Sequence, residues 1–314
     1  MENFSIVIPV HNEVESIPVL ADEIEFALGS LDCDWECIWV DDGSSDFSWN
    51  EIKKLGPVHR GLRLGRNFGQ SSAIMAGCDN SKFELIVTLD SDLQNDPKDI
   101  VKMLNILTGD LDCVCGVRMD RNDKLISRKI PSMVANKLAR LITGINIRDL
   151  GCTLKVFRKY LVTDSRLIGE MHRVLPIYFH MSGAQIKEIP VSHRARKFGN
   201  SKYGLNRIFK FMADILLAKV MNKITSRPLY LFGSISLFLF VTGIVTLIFL
   251  IIQTPRLGDT PSITEIYFSL FAFGAVIIFG CVIIILLGLL TEVIIRTSVG
   301  AKSALKISIS EEKK

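Results

Sequence analysis

The sequence predicts an α/β domain built on a mostly parallel sheet, followed by amphipathic helices at a membrane surface and a two-helix transmembrane hairpin. Three observations predict it. Short β-rich runs alternate with longer helical stretches from Phe4 to Val117, as repeated βαβ units do. Leu229 to Ile252 and Ile266 to Thr291 contain no charged residue. Basic residues gather before the first of these stretches and after the second.

Taken in order, strands are expected near Phe4 to Val10, Trp35 to Asp41, Gly61 to Gly65, Leu85 to Asp90 and Cys113 to Val117. Helices fit between them, from about Val14 to Leu28, Phe47 to Leu55, Gly69 to Asp79 and Pro97 to Leu107. Pro97 suits a first helical turn, where its missing N–H costs nothing. Lys124 to Thr143 and Leu205 to Ile224 carry cations and apolar residues at helical spacing. Both read as basic amphipathic helices, and the second, leading straight into an apolar run, suits the bilayer interface. The apolar runs reach roughly 36 to 39 Å against a hydrocarbon core of about 30 Å. The expected organisation is a globular domain over 1–204, a juxtamembrane helix over 205–227, a hairpin over 228–292 with spans near 229–252 and 266–291, and a tail over 293–314.

Arg207, Lys210, Lys219, Lys223 and Arg227 precede the first span, and Arg296, Lys302 and Lys306 follow the second. The connecting loop holds only Arg256. By the positive-inside rule both ends of the hairpin face the cytoplasm. The start, MENFSIVIPV, has no basic region followed by an apolar stretch of signal-peptide length, so the globular domain is expected on that same side. The net charge of +4 is modest and suggests no nucleic-acid partner. Seven cysteines lie scattered without a C-x-x-C pair or zinc-type His spacing, and read as reduced thiols. Cys113 and Cys115 alternate in a strand and read as small core residues.

Three polar clusters stand at predicted strand ends: Pro9 to Glu13, Asp41 to Asp46 and Asp90 to Gln94. Open parallel sheets bind ligands beyond the carboxyl ends of their strands, so the clusters should converge. Asp42-Gly43-Ser44 alone is an ordinary turn signal. Together the clusters suit a sugar nucleotide. Asp90 and Asp92, two residues apart, can hold a hard divalent cation such as Mg²⁺ or Mn²⁺ shared with phosphates, with Gln94 adding a neutral oxygen. Asp92 is the first choice as direct ligand. Neither G-x-x-x-x-G-K-[ST] nor G-x-G-x-x-G occurs, which disfavours P-loop nucleotidases and dinucleotide oxidoreductases. Farther on, His193, Arg194, Arg196, Lys197 and Lys202 crowd a stretch with Gly199, Ser201 and Tyr203. Guanidinium forks and a close backbone make it an anion-binding candidate, against the plainer reading of a solvated basic loop. Arg118, Arg121, Arg128 and Lys129 form a second cationic group.

With these residues in view the chain resembles a family 2 glycosyltransferase of GT-A, Rossmann-like fold, in the polyprenyl-phosphate group that includes dolichol-phosphate mannose synthase. SIVIPVHNE, VDDGSSD, GRNFGQSSAIMAG and TLDSDLQNDP carry the likeness. NFGQSSAIMAG, DLGCTLKVFRK and HRARKFGNSKY place it nearest the undecaprenyl-phosphate 4-deoxy-4-formamido-L-arabinose transferase branch. The resemblance implies nucleoside contacts for Pro9, His11, Glu13, Asp41, Asp42 and Asp90, and a metal and diphosphate site at Asp90, Asp92 and Gln94. It implies acceptor or diphosphate contacts for Arg118, Arg128, Lys129, Arg196, Ser201 and Lys202. His11 stands where relatives usually have Tyr. Cys152 stands where one branch has an Asp proposed as base, and Asp149 is the nearest carboxylate, so Asp90, Asp92 and Asp149 form the expected catalytic set.

The expected reaction inverts the anomeric centre as a sugar passes from a nucleotide diphosphate, UDP by the nearest likeness, to a polyprenyl phosphate such as undecaprenyl phosphate. The expected partners are that donor, that acceptor and the bilayer; a homo-oligomer stays open. A processive polysaccharide synthase is disfavoured, because no Q-x-x-R-W segment follows the metal motif. A catalytically inactive membrane scaffold is the rival from another class.

Overall fold

The computed structural model describes residues 1–118, 145, 147–163, 171–195, 220, 224, 228–253 and 263–311. The expected helix at 124–143 lies outside them, as does the one at 205–224 apart from Val220 and Ile224, both helical. The chain divides into two compact units, Met1–Lys219 and Val220–Lys314.

In the first unit seven strands form one sheet of order β3-β2-β1-β4-β6-β5-β7. They are β1 (Phe4–Val10), β2 (Trp35–Asp41), β3 (His59–Arg63), β4 (Leu85–Thr88), β5 (Cys113–Arg118), β6 (Lys155–Arg158) and β7 (Ile186–Val191). β6 runs antiparallel to both neighbours; the other pairings are parallel. The helices are α1 (Ser16–Leu28), α2 (Ser48–Ile52), α3 (Gln70–Asp79), α4 (Lys98–Ile106), α5 (Tyr160–Thr163) and α6 (Leu175–Met181).

Side-chain alternation along β1 sorts the core into two layers. Phe4, Ile6, Ile8 and Val10 pack with Ile17, Leu20 and Ile24 of α1 and Ile100 and Met103 of α4. Val7 faces the other way, among Ala73, Ile74 and Cys78 of α3 and Phe179 of α6. Gly77 lets α3 settle on β1, since a Cβ there would stand 2.3 Å from a Val7 methyl. Cys113 and Cys115 are buried core thiols, as expected.

Two strand expectations need correction. β3 begins and ends two residues earlier than Gly61 to Gly65, because its ladder with β2 starts at Cys37 opposite His59. The His59 ring is held there, accepting from Trp39 Nε1 at 3.0 Å and facing Glu25 Oε1 at 3.0 Å. β4 stops at Thr88 instead of Asp90, and Pro9 explains it. Val10 O accepts from Asp42 N on the β2 side, whereas Val7 O accepts from Leu89 N on the β4 side. Pro9 faces the β4 side too, but it has no N–H to offer. The β1–β4 ladder ends at Val7 opposite Thr88, and Ser91 Oγ donates to the Pro9 carbonyl instead, at 3.1 Å. β6 and β7 were not anticipated. β7, an edge strand, tolerates Pro190.

The second unit holds α7 (Pro228–Gln253) and α8 (Ile263–Glu311). Pro228–Phe249 and Phe268–Ile294 are long and apolar enough to span a bilayer, with mean hydropathies of 2.3 and 3.1. Most of their large apolar side chains, such as Phe238, Phe271 and Val276, are exposed, as in a lipid-facing hairpin. The two helices meet through glycine notches: a Cβ on Gly243 would stand 2.7 Å from Ile277, and one on Gly288 2.8 Å from Phe232. Ser236 Oγ donates to Cys281 O at 3.1 Å, and Cys281 Sγ to Ser236 O at 3.5 Å. α8 continues past the expected end near Thr291 as one helix to Glu311.

Candidate active site

The cleft forms where β1 and β4 part. The turn after β1 is stitched to the turn after β2: Asn12 N donates to Ser44 Oγ at 3.0 Å, Ser45 N to Asn12 Oδ1 at 2.8 Å, and Glu13 N to Ser48 Oγ at 2.9 Å. His11 Nδ1 lies 3.0 Å from the Asp42 carbonyl. A carbonyl only accepts, so that nitrogen carries the proton. Gly43 is required here by its φ of +64° and because a Cβ would collide with the backbone of Arg66 and Asn67 at 2.5 and 2.6 Å.

Asp41 is fully buried and caps its own turn, accepting from Ser44 N at 2.9 Å. Its Oδ2 lies 3.1 Å from Arg63 Nε without the alignment of a hydrogen bond. Asp42 accepts from Phe68 N at 2.7 Å and Gly69 N at 2.9 Å. The next residue, Gln70, donates through Nε2 to Asp90 Oδ1 at 2.7 Å. Three consecutive residues at the start of α3 thus tie Asp42 to Asp90, and the acidic strand ends converge as the motif positions suggested. Asp90 Oδ2 accepts from Thr153 Oγ1 at 2.7 Å. Two residues on, Asp92 Oδ1 accepts from Gln94 N at 3.2 Å. Leu93 between them has a φ of +61° with its side chain in the core. A branched residue in that region is strained, and such strain gathers at functional sites.

Below Gln70, Ser71 Oγ lies 2.9 Å from His172 Nδ1 and accepts from His172 N at 3.1 Å. Burial pushes the His172 pKa down to about 3, with Arg173 and Lys155 adding repulsion. His172 is therefore neutral. Lys155 is also buried, donating from Nζ to Cys152 O.

Across the cleft, Arg118 and Asp149 form a bidentate pair, Nε to Oδ2 at 2.7 Å and Nη2 to Oδ1 at 2.9 Å. Asp149 Oδ1 also accepts from Gly151 N at 3.2 Å. Both carboxylate oxygens are thus engaged, unlike a base facing a substrate. Cys152 is no substitute, because burial raises its thiol to about 11.

Arg194, expected in an anion-binding loop, is committed elsewhere. It donates to Glu23 at 2.7 and 2.9 Å and to Asp96 at 2.6 Å. Arg128, Lys129, Arg196, Ser201 and Lys202 lie outside the described residues. Sequence reasoning missed Gln70, Thr153 and His172. Of these, Gln70 and Thr153 had a signal, their places within the motifs NFGQSSAIMAG and DLGCTLKVFRK.

Among the described residues no three His, Cys, Asp or Glu side chains gather as a metal cage. Asp90, Asp92 and Gln94 fit the other arrangement, a hard cation held by few protein oxygens and completed by phosphates. An open groove of about 800 Å³ lies on the hairpin, lined by apolar residues such as Leu247, Phe271 and Ile278. Its lining side chains are apolar and offer little to a nucleotide, and the cleft described above remains the candidate.

Comparisons with known proteins give the chain a family. The dodecaprenyl-phosphate galacturonate synthase of Rhizobium johnstonii is 38% identical over 300 residues, covering 93% of this chain and 88% of its own. An undecaprenyl-phosphate 4-deoxy-4-formamido-L-arabinose transferase of Pectobacterium carotovorum is 34% identical over 255 residues, covering 80% and 76%. The fold is shared with glucosyl-3-phosphoglycerate synthase of Mycobacterium tuberculosis, solved with uridine-diphosphate, at a TM-score of 0.54 and 18% identity over 70% of this chain and 79% of that one. The family model for glycosyl transferase family 2 matches residues 5–165, the stretch that builds the acidic strand ends and their clamp, and the chain is a glycosyltransferase belonging to that family.

Proposed function

We propose that this glycosyltransferase moves a sugar from a nucleotide diphosphate, UDP-linked, onto a polyprenyl phosphate at the cytoplasmic face of a membrane. The observation that carries this reading is the convergence of Asp42 and Asp90 on Phe68, Gly69 and Gln70. It builds a polar, acidic cleft at the sheet's switch point, where nucleotides bind in open α/β folds. The acceptor class is supported by the names of the two relatives and by a hairpin suited to the bilayer where such an acceptor lives.

Pro9, His11, Glu13, Asp41 and Asp42 form the nucleoside wall, and Asp90, Asp92 and Gln94 hold Mg²⁺ or Mn²⁺. When bound, the ion supplies Lewis-acid neutralisation of the departing diphosphate. Mn²⁺ is present with uridine-diphosphate in the Mycobacterium tuberculosis neighbour. Gln70 and Thr153 fix the plane of the Asp90 carboxylate. Arg118, oriented by Asp149, and the sequence-assigned Arg128, Lys129, Arg196, Ser201 and Lys202 place the acceptor phosphate. An acceptor oxygen bonds to the anomeric carbon as the bond to the donor phosphate breaks, its electron pair leaving with the nucleoside diphosphate. Attack opposite the leaving group inverts the centre. A phosphate monoester has a second pKa of about 6, so near neutrality it needs placing more than deprotonating. Asp149 is therefore assigned to orientation of Arg118 within the catalytic set, not to proton removal.

Incubation of the purified full-length protein with radiolabelled UDP- and GDP-sugars, undecaprenyl phosphate and Mg²⁺ tests the proposal. A labelled, solvent-extractable lipid is expected with a UDP-sugar. No lipid product from any donor of the panel would favour the inactive scaffold, and a product from GDP-mannose alone would overturn the nucleotide assignment.

A further inference from the structure

We infer that Arg194 is a positioning residue that locks the Asp92–Gln94 turn in place, and that it does not bind phosphate itself. The inference rests on the reading of that turn as the cation site. After β7 the chain runs back along the segment that follows Asp92, and successive contacts fasten the two. Ser192 N donates to Asp99 Oδ2 at 2.6 Å. His193 bridges to Asn95 in antiparallel fashion. Arg194 N donates to the Gln94 carbonyl at 2.7 Å. The Arg194 guanidinium then spans two carboxylates, reaching Asp96 Oδ2 from one terminal nitrogen and both Glu23 oxygens from the other.

Two consequences follow from this geometry. A guanidinium set between two carboxylates carries a local net charge of about −1 with them, which repels a phosphate instead of drawing one. Gln94, in turn, is held on both sides, its N–H by Asp92 Oδ1 and its carbonyl by Arg194 N. That grip falls next to Leu93, whose positive φ persists only where the surroundings over-determine it. Arg194 supplies part of that restraint from the far side of the turn. It reaches α1 through Glu23 as well, so the turn is referred to a helix packed in the core. A lysine could not span the two carboxylates in this way, because it lacks the planar fork.

The test uses full-length protein in detergent and measures Mn²⁺ binding in the presence of UDP, by loss of the free-ion electron paramagnetic resonance signal. Arg194→Gln and Asp96→Asn should each weaken Mn²⁺ binding by about ten-fold or more, as loss of an outer-shell partner does. The double variant should be no weaker than either single one, since both break one link. Arg194→Lys should recover little. Should Arg194→Gln fail to fold by its melting profile, Asp96→Asn and Glu23→Gln carry the same expectation. Wild-type Mn²⁺ affinity in a folded Arg194→Gln or Asp96→Asn protein overturns the inference alone. So does tighter binding of UDP or acceptor in Asp96→Asn, which would mark Arg194 as a phosphate ligand held back by its partner. Wild-type protein that binds no Mn²⁺ with UDP would sink the functional reading itself.

Discussion

On the side of the cleft formed by β1, β2 and β4, Asp42, Asp90 and Asp92 accept hydrogen bonds from neutral groups: the backbone of Phe68, Gly69 and Gln94, the Gln70 amide and the Thr153 hydroxyl. Toward β5 and β7 the carboxylates face cations instead, Asp149 on Arg118 and Asp96 on Arg194. Neutral donors fix a carboxylate without cancelling its charge, whereas an ion pair spends it. Asp42 and Asp90 therefore keep negative potential for a cation, whereas the charge of Asp149 is balanced by Arg118. Position in the fold, more than residue type, decides which aspartates remain electrostatically available.

The contrast can be broken most directly at Asp92. Asp92→Ala should lower kcat/KM by about a thousand-fold, of the size seen when one electrostatic stabiliser of a transition state is lost. Its melting temperature is measured alongside, so that lost turnover in a folded protein is assigned to the site. Near-normal turnover would refute the cation assignment. Asp149→Asn is the opposite case. It removes the carboxylate charge that faces the largely buried Arg118 guanidinium, and should cost about 3 kcal/mol of stability in chemical denaturation. An unchanged midpoint would mean that the pair is not the structural element described here.

A finer test lies at the neutral clamp. Thr153→Val removes one donor to Asp90 and should weaken Mn²⁺ binding roughly ten-fold, while Thr153→Ser should restore it. Equal behaviour of the two variants would show that the hydroxyl is not used. A test on stability alone lies at His172. Its buried ring stays neutral down to about pH 3, whereas in the unfolded chain it gains a proton near pH 6.5. Between those values the unfolded state binds the extra proton, so stability is lost as pH falls through that window. His172→Asn should flatten the melting temperature between pH 6.5 and 4.5, and a profile parallel to wild type would contradict the assignment.

Much of this was readable from residue order. β1 and β2 begin and end where their apolar runs do, and the acidic motifs at Asp41–Asp42 and Asp90–Asp92 stand at the strand ends that shape the cleft. β6 escaped because it is four residues long and carries Lys155, a cation that reads as solvent-facing until its bond to the Cys152 carbonyl is seen. Arg194, one residue of the basic stretch beginning at His193, misled for a related reason. The cations around it are contiguous in sequence, but the acids that neutralise it lie 171 and 98 residues away. Gln70 and Thr153 have ordinary polar side chains, and nothing but the fold brings them to one carboxylate.

Pro9 bears on how the cleft survives evolution. Two parallel strands side by side tend to zip together for as long as both have donors to exchange, and a sheet that closed by one more rung would take up the space a ligand needs. An imino acid at the fork forbids that rung on covalent grounds, whatever the neighbouring side chains become. The opening is thus written into the backbone, leaving the residues around it free to drift toward new sugars without the cavity sealing.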